Sequence, residues 1–222
     1  MIDRAVSIAF PLRGEWAALR TPAERIPSHG TDYFGQRYAF DFARLVGPYN
    51  KAYRQSIWRH IFRTVSVEDC YGWGESVLAP FDGEVIAAGD GWPDRERLNL
   101  LWDLFKTSFL ARDATPEDYR PLTGNYILLK GKPGFALLAH LRRGSVRVHN
   151  GQLVSEGASV AAVGNSGNST IPHLHFHIMD RPDPFKAEGL PCRFRKYERF
   201  RDGVWTEVFD SIPEVLEPIR VV

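Results

Sequence analysis

The stretch IPHLHFHIMD, residues 171–180, sets a histidine at every second position: His173, His175 and His177. In an extended strand, successive side chains point to opposite faces. The three imidazoles therefore share one face, and Leu174, Phe176 and Ile178 fill the other. The pattern predicts a strand with an apolar back and an imidazole-lined front. Packed neutral imidazoles each need a hydrogen-bond partner, so three on one face raise the expectation of a metal ion. Zinc accepts nitrogen and oxygen ligands at about 2.0–2.2 Å, and catalytic zinc keeps one position open for water. One strand can supply one or two such ligands, because side chains i and i+2 stand about 6–7 Å apart. A carboxylate should then come from a second strand.

Working outward, RYAFDFARL (37–45) also alternates. Tyr38, Phe40 and Phe42 form one face, and Ala39, Asp41 and Ala43 the other. A carboxylate on a partly buried strand needs a cation or hydrogen-bond donors, which makes Asp41 a candidate ligand. His29 lies twelve residues earlier, in IPSHGTDYFGQRYAFDF. Asp32, in HGTD, competes with Asp41, but it reads as an ordinary loop aspartate. His140 ends the apolar run ALLAHL. His60 and His149 have no such company and read as surface residues, and His177 could equally be a structural histidine.

The remaining pattern is mainly β. Residues 5–10 could open the chain as a strand, and residues 11–36 read as an irregular lead-in. Residues 47–73 read as a polar, aromatic-rich connection. PFDG is a turn between two short β runs, SVLA and EVIAAG. From Trp92 to Tyr119 the β pattern breaks, and Leu98, Leu101, Trp102, Phe105 and Phe109 recur at helical spacing. This predicts a helical insertion around 92–120, within an inserted segment 92–123. β signals resume at NYILLKG (125–131) and FALLAHLRRGSV (135–146), joined by a Lys132-Pro133-Gly134 turn. GQLVSEGASVAAVGNSG (151–167) follows, and GNSGNST reads as a flexible loop into the histidine strand. GVWTEVF (203–209) is a further possible strand within a C-terminal extension, 181–222. Short strands and frequent turns predict one domain over residues 1–222. Its expected form is an antiparallel two-sheet sandwich or partly open barrel.

Composition narrows the function classes. The chain has 222 residues, 44% hydrophobic and 25% charged, with formal net charge +1. That charge gives no reason to expect a nucleic-acid partner, and RFRKYERFR (193–201), interrupted by Glu198, reads as a solvated strand face. Cys70 and Cys192 form neither a disulfide framework nor a zinc ribbon; one bridge between them is compatible with the sequence, but they read better as two unrelated thiols. Any metal must therefore use histidine and carboxylate. No run approaches a transmembrane span. AVSIAF, ended by Pro11, makes a poor secretory signal, which leaves the compartment open, as is the oligomeric state.

GNSGNSTIPHLHFHI resembles the HxH signature of the lysostaphin and LytM-like zinc metallopeptidases. VLAPFDGEVIAAG is similar to that family's V-x-A-P-x-D-G-x-V hairpin. GNYILLKG with FALLAHL is similar to its paired strands, and VRVHNGQLVSEGASVAAVGNSG to its glycine-punctuated run. The resemblance covers about residues 76–91 and 124–178, in order. It implies that His175 is a zinc ligand, with His29 and Asp41 as the others. It also implies that His173 and His140 assist the water or the transition state. The family's first element is a compact His-x-x-x-Asp, whereas His29 and Asp41 here lie further apart. His177 stands where the family has Glu.

The implied activity is zinc-dependent endopeptidase hydrolysis of peptide bonds, in peptidoglycan cross-links or glycine-rich peptides, outside the inner membrane. Two other readings are compatible with the residues. One is a non-catalytic cell-wall-binding module of the same fold. The other is a phosphohistidine carrier using His140 and His173.

Overall fold

The computed structural model describes residues 5–46, 51–54, 64–99 and 114–222. The first strands are β1 (Val6–Ile8), β2 (Gly14–Arg20), β3 (Phe40–Ala43) and β4 (Val65–Ser66). Then come β5 (Ser76–Leu78), β6 (Gly83–Gly89) and β7 (Arg97–Leu98). A one-turn helix, α1 (Arg120–Thr123), leads into β8 (Asn125–Gly131) and β9 (Gly134–Leu141). β10 (Leu153–Val154), β11 (Ser159–Ala162) and β12 (Leu174–Met179) follow, and β12 is the histidine strand. The chain closes with β13 (Gly189–Leu190), β14 (Cys192–Arg201), β15 (Val204–Ser211) and β16 (Pro218–Val221).

Twelve of these strands form one open sheet in the order β1-β14-β16-β2-β3-β12-β9-β8-β6-β10, with β13 against β12 and β15 against β14. β5 and β11 make a second, two-stranded sheet. The mainly β expectation is met by an open large sheet with a small partner, not a closed barrel. Val77, Ala79, Val160 and Ala161 from the small-sheet region meet Phe40, Phe42, Ile127, Leu138 and Phe176 of the large sheet in the main core.

That core fixes the register on which everything else depends. Phe40, Phe42 and Phe176 are fully buried, and each contributes roughly 1.5–3 kcal/mol by leaving water. A one-residue slip of β12 or β3 would carry these rings to the other face and drive His175 and Asp41 into the core. The observed pairing sets Leu174 opposite Phe42, His175 opposite Asp41 and Phe176 opposite Phe40. The predicted two-faced strands at 171–180 and 37–45 are both present.

Two strands flanking this pair break their alternation, and each break turns a polar side chain away from the core. In β9, Ala136 and Leu138 face the core, so strict period-2 alternation would send His140 there too. A bulge against β8 lets Asn125 pair with Leu141 while Ile127 pairs with Leu138. His140 absorbs the bulge with φ of 61°, the left-handed region that costs a side chain of its size free energy. Leu141 takes the core position instead. In β2, Trp16 and Ala18 face the core, and Arg20 would follow. A register shift between Ala18 and Arg20 leaves Leu19 as the extra residue and pairs Arg20 with Asp41. Bulges re-aim side chains in this way.

Several expectations need correction. The segment read as an irregular lead-in contains β2, and the C-terminal segment supplies β13 to β16. SVLA and EVIAAG do not form a hairpin: β5 pairs with β11, whereas β6 pairs with β8 and β10. Leu98, assigned to a helical stripe, lies in β7 opposite Val65 and is buried with Tyr53, Val67 and Cys70. The rest of the stripe, Leu101 to Phe109, lies outside the described residues, as does His60. The β8–β9 hairpin turns through Lys132 and Pro133 as expected, with Gly131 opposite Gly134. Among the described residues, no helix is long and apolar enough to cross a membrane.

Candidate metal centre

β3 and β12 present their polar side chains on one face, and the loop Pro27–Arg37 folds over them. Ser28 N donates to Arg37 O at 3.0 Å and closes that loop, which brings His29 beside Asp41. His29 Nε2 lies 2.9 Å from Asp41 Oδ2. His175 Nδ1 lies 2.8 Å from Asp41 Oδ1. Donor atoms of these three residues all fall within 4.8 Å of one another. Asp32 is elsewhere: it is exposed and forms an ion pair with Arg37 Nη1 at 2.7 Å.

His173 and His140 complete the cluster. His173 Nε2 is 3.5 Å from Asp41 Oδ1, and the His173 and His140 rings are 4.7 Å apart between centroids. Each ring is fixed by a backbone carbonyl. His140 Nδ1 donates to Ser166 O at 2.9 Å, and His173 Nδ1 donates to Ile171 O at 2.8 Å. With Nδ1–H committed, the neutral tautomer of each ring keeps its lone pair on Nε2. His177 stands behind His175, with its Nδ1 3.0 Å from His175 Nε2. His149, by contrast, is exposed.

The loop expected to be flexible is tied down. Asn165, Ser166 and Ser169 are fully buried. Ser166 Oγ donates to Leu141 O at 2.7 Å and accepts from Asn125 N at 3.0 Å. Asp94 accepts from Asn165 N at 2.7 Å and from Arg143 N at 2.8 Å. Gly167 and Gly124 touch so closely that a Cβ on Gly167 would sit 2.2 Å from Gly124 N. The loop is glycine-rich for close approach, and its rigidity holds the carbonyl that orients His140.

Electrostatics follow from burial and from one shared carboxylate. Burial alone would raise Asp41, but His29, His173 and His175 reverse this and hold its carboxyl well below the usual range. Burial pushes His140 well below the usual imidazole value, with His173 and His175 adding to the effect. His175 is lowered by burial, partly offset by Asp41, and His177 is lowered well down by burial and by His175. His173 goes the other way: burial lowers it, but Asp41 outweighs burial and raises it. A buried carboxylate ringed by imidazoles is a common arrangement at functional centres.

The cluster opens into a cleft of about 340 Å³ lined also by Arg20, Phe34, Gln36, Leu122, Asn168 and Thr170. All five residues expected from sequence line it: His29, Asp41, His140, His173 and His175. Arg20 was missed because residues 11–36 read as an irregular lead-in; even within β2, its parity matches that of Trp16 and Ala18. Ser166 and Ser169 were missed because they act through hydrogen bonds that spacing does not encode.

Residues 114–187 match the model of Peptidase family M23. This segment holds His140, His173, His175 and His177, and lies C-terminal to His29 and Asp41. An uncharacterized metalloprotease of Haemophilus influenzae is 30% identical over 163 residues, 71% of this chain and 28% of that protein. The peptidoglycan DD-endopeptidase ShyB of Vibrio cholerae is 34% identical over 67 residues, 30% of this chain and 16% of that protein. Among solved structures, the catalytic domain of the antimicrobial peptidase lysostaphin from Staphylococcus simulans aligns over 72% of this chain and 86% of that one. Its identity is 19% and its TM-score 0.38. By these sequence matches, residues 114–187 resemble Peptidase family M23. The chain spans 16% and 28% of the lengths of the two curated relatives described.

Proposed function

We propose that the chain is a zinc-dependent endopeptidase acting on peptide bonds in peptidoglycan cross-links or glycine-rich peptides. The observation that carries this reading is the Asp41 carboxylate, held by His29 Nε2 and His175 Nδ1 at 2.9 and 2.8 Å in an open cleft. Two imidazole nitrogens and one carboxylate oxygen form a donor set that suits zinc. Calcium and magnesium prefer more oxygen ligands than this cluster offers. His29, Asp41 and His175 would hold the ion. Bound zinc supplies Lewis acidity, lowering the pKa of a coordinated water from about 15.7 toward 7.

The chain's own residues supply proton handling. His140, anchored on Ser166 O, directs an Nε2 lone pair into the cleft and can accept a proton from the attacking water. His173, anchored on Ile171 O, sits beside it and can donate to the developing oxyanion or the leaving amine. His177 holds the second nitrogen of His175 and so fixes which nitrogen faces Asp41. Asp41 also weighs against the phosphocarrier reading, since its carboxylate 3.5 Å from His173 Nε2 would repel an incoming phosphoryl group. The ShyB name supports a peptidoglycan substrate by similarity.

The test is direct. Protein purified without added metal should hold about one zinc per chain and hydrolyse a glycine-rich peptide or purified peptidoglycan. Zinc without hydrolysis of either would favour the binding-module reading.

A further inference from the structure

The β2 bulge places a cation where the sheet alternation would not. Among the described residues lining the cleft, Arg20 is the only lysine or arginine. Its side chain is 48% exposed, and its Nε lies 4.0 Å from Asp41 Oδ2. That is a long contact beside a carboxylate already satisfied by two imidazoles at shorter range. With strict alternation through Leu19 and no bulge, Arg20 would share the core face with Trp16 and Ala18. His140, on the opposite side of β12, reaches the same cleft through the same device. Both bulges deliver one polar side chain to one cavity.

A guanidinium presents several donors in a planar fork matched to a carboxylate. Asp41 cannot be its full partner. The carboxylate's oxygens are engaged by His29 and His175, and the guanidinium comes no nearer than 4.0 Å, beyond hydrogen-bond reach. An ion bound by Asp41 would further weaken its hold on a neighbouring cation. Arg20 therefore lines the cleft half-exposed, with donors to spare.

We propose that Arg20 is a substrate-recognition residue that binds a carboxylate of the peptide close to the scissile bond. This deepens, and rests on, the peptidase reading. The carboxylate can come from the end of a peptide or from an acidic side chain, and matched pairs of peptides separate the two sources. One pair is pentaglycine and pentaglycinamide. The other is acetyl-Gly-Gly-Glu-Gly-Gly-amide and its glutamine counterpart.

Binding is measured by calorimetry on zinc-loaded protein carrying His140→Ala, so that the peptides are not consumed. The expected result is about tenfold tighter binding of the carboxylate member of at least one pair. The pair that shows it names the source. Adding Arg20→Gln should erase the preference, and Arg20→Lys should retain part of it. A preference that survives Arg20→Gln, or none in either pair with Arg20 present, overturns the assignment. Hydrolysis by the unmutated protein is read separately. If neither pair nor purified peptidoglycan is cleaved but the Arg20-dependent preference stands, the peptidase reading fails and the recognition role survives.

Discussion

Asp41 and His175 are register partners across β3 and β12, and their side chains meet at 2.8 Å although 134 residues separate them in sequence. Each strand buries phenylalanines on its reverse side, so hydrophobic burial and donor convergence are two faces of one pairing. Removing Asp41 should therefore abolish metal retention without unfolding the sheet. Asp41→Ala is expected to carry less than a tenth of the zinc of the unmutated protein, and Asp32→Ala to carry a full complement. Metal analysis beside a thermal melt decides this. Loss of zinc in Asp32→Ala would move the ligand to the loop.

His140→Ala should keep its zinc and lose hydrolysis by about 10²–10⁴-fold, the usual range for a positioned acid or base. His173→Ala should do likewise. Metal content and peptide turnover are measured on the same preparation. Loss of zinc in His140→Ala would make that histidine a ligand.

His177 touches His175 and not Asp41. Its removal leaves a buried His175 nitrogen without its partner, so His177→Ala should weaken zinc affinity by about 10–100-fold. His177→Gln, whose amide oxygen can accept the same hydrogen bond, should recover part of it. Competition against a graded chelator gives the affinities. Equal affinity in all three proteins would reduce His177 to packing.

Gly124 has φ of 63°, and a Cβ there would stand 2.2 Å from Ser166 Oγ. Gly124→Ala should lower the Tm by several degrees, as a loss of roughly 1–3 kcal/mol does in a chain of this size. It should also depress turnover, because Ser166 O orients His140. An unchanged melt would mean the two loops are free to part.

The two thiols should be silent in the native protein. Burial pushes Cys70 up to about 12, with Asp69 adding to it, and burial alone raises Cys192 further. At pH 8 almost no thiolate is present. A disulfide exchange reagent should react at pH 8 only after unfolding and then count two thiols per chain. Fast reaction of the folded protein would contradict the burial.

The sequence was readable where alternation is strict. LHFHIM and FDFA each separate apolar from polar side chains by parity, so their faces follow from spacing, whereas the nearness of Asp41 to the imidazoles was implied by the family resemblance and not by spacing. NYILLKG and FALLAHL announce their hairpin through the Lys132-Pro133 turn. Reading failed wherever one residue breaks the parity. Arg20 was invisible because its segment reads as an irregular lead-in and Leu19 carries no mark of a bulge, and His140, equally unmarked, reached the site only through its resemblance to a motif. Leu98 fits a helical stripe by spacing, yet it pairs with Val65, a partner 33 positions away that local periodicity cannot see. GNSGNST looks mobile by composition, but its glycines serve contact between backbones and its serines are saturated with hydrogen bonds.

The donors arrive from far-separated stretches of chain. His29 and Asp41 emerge from the ribosome long before His175, and neither offers more than a transient grip on a cation alone. Closing so long a loop is entropically costly and slow, as in other β topologies of high contact order. On the proposed zinc-peptidase reading, ion capture is therefore a late event in biogenesis, and hydrolytic competence cannot precede completion of the large sheet. On that reading a half-made chain has no means of cutting its neighbours.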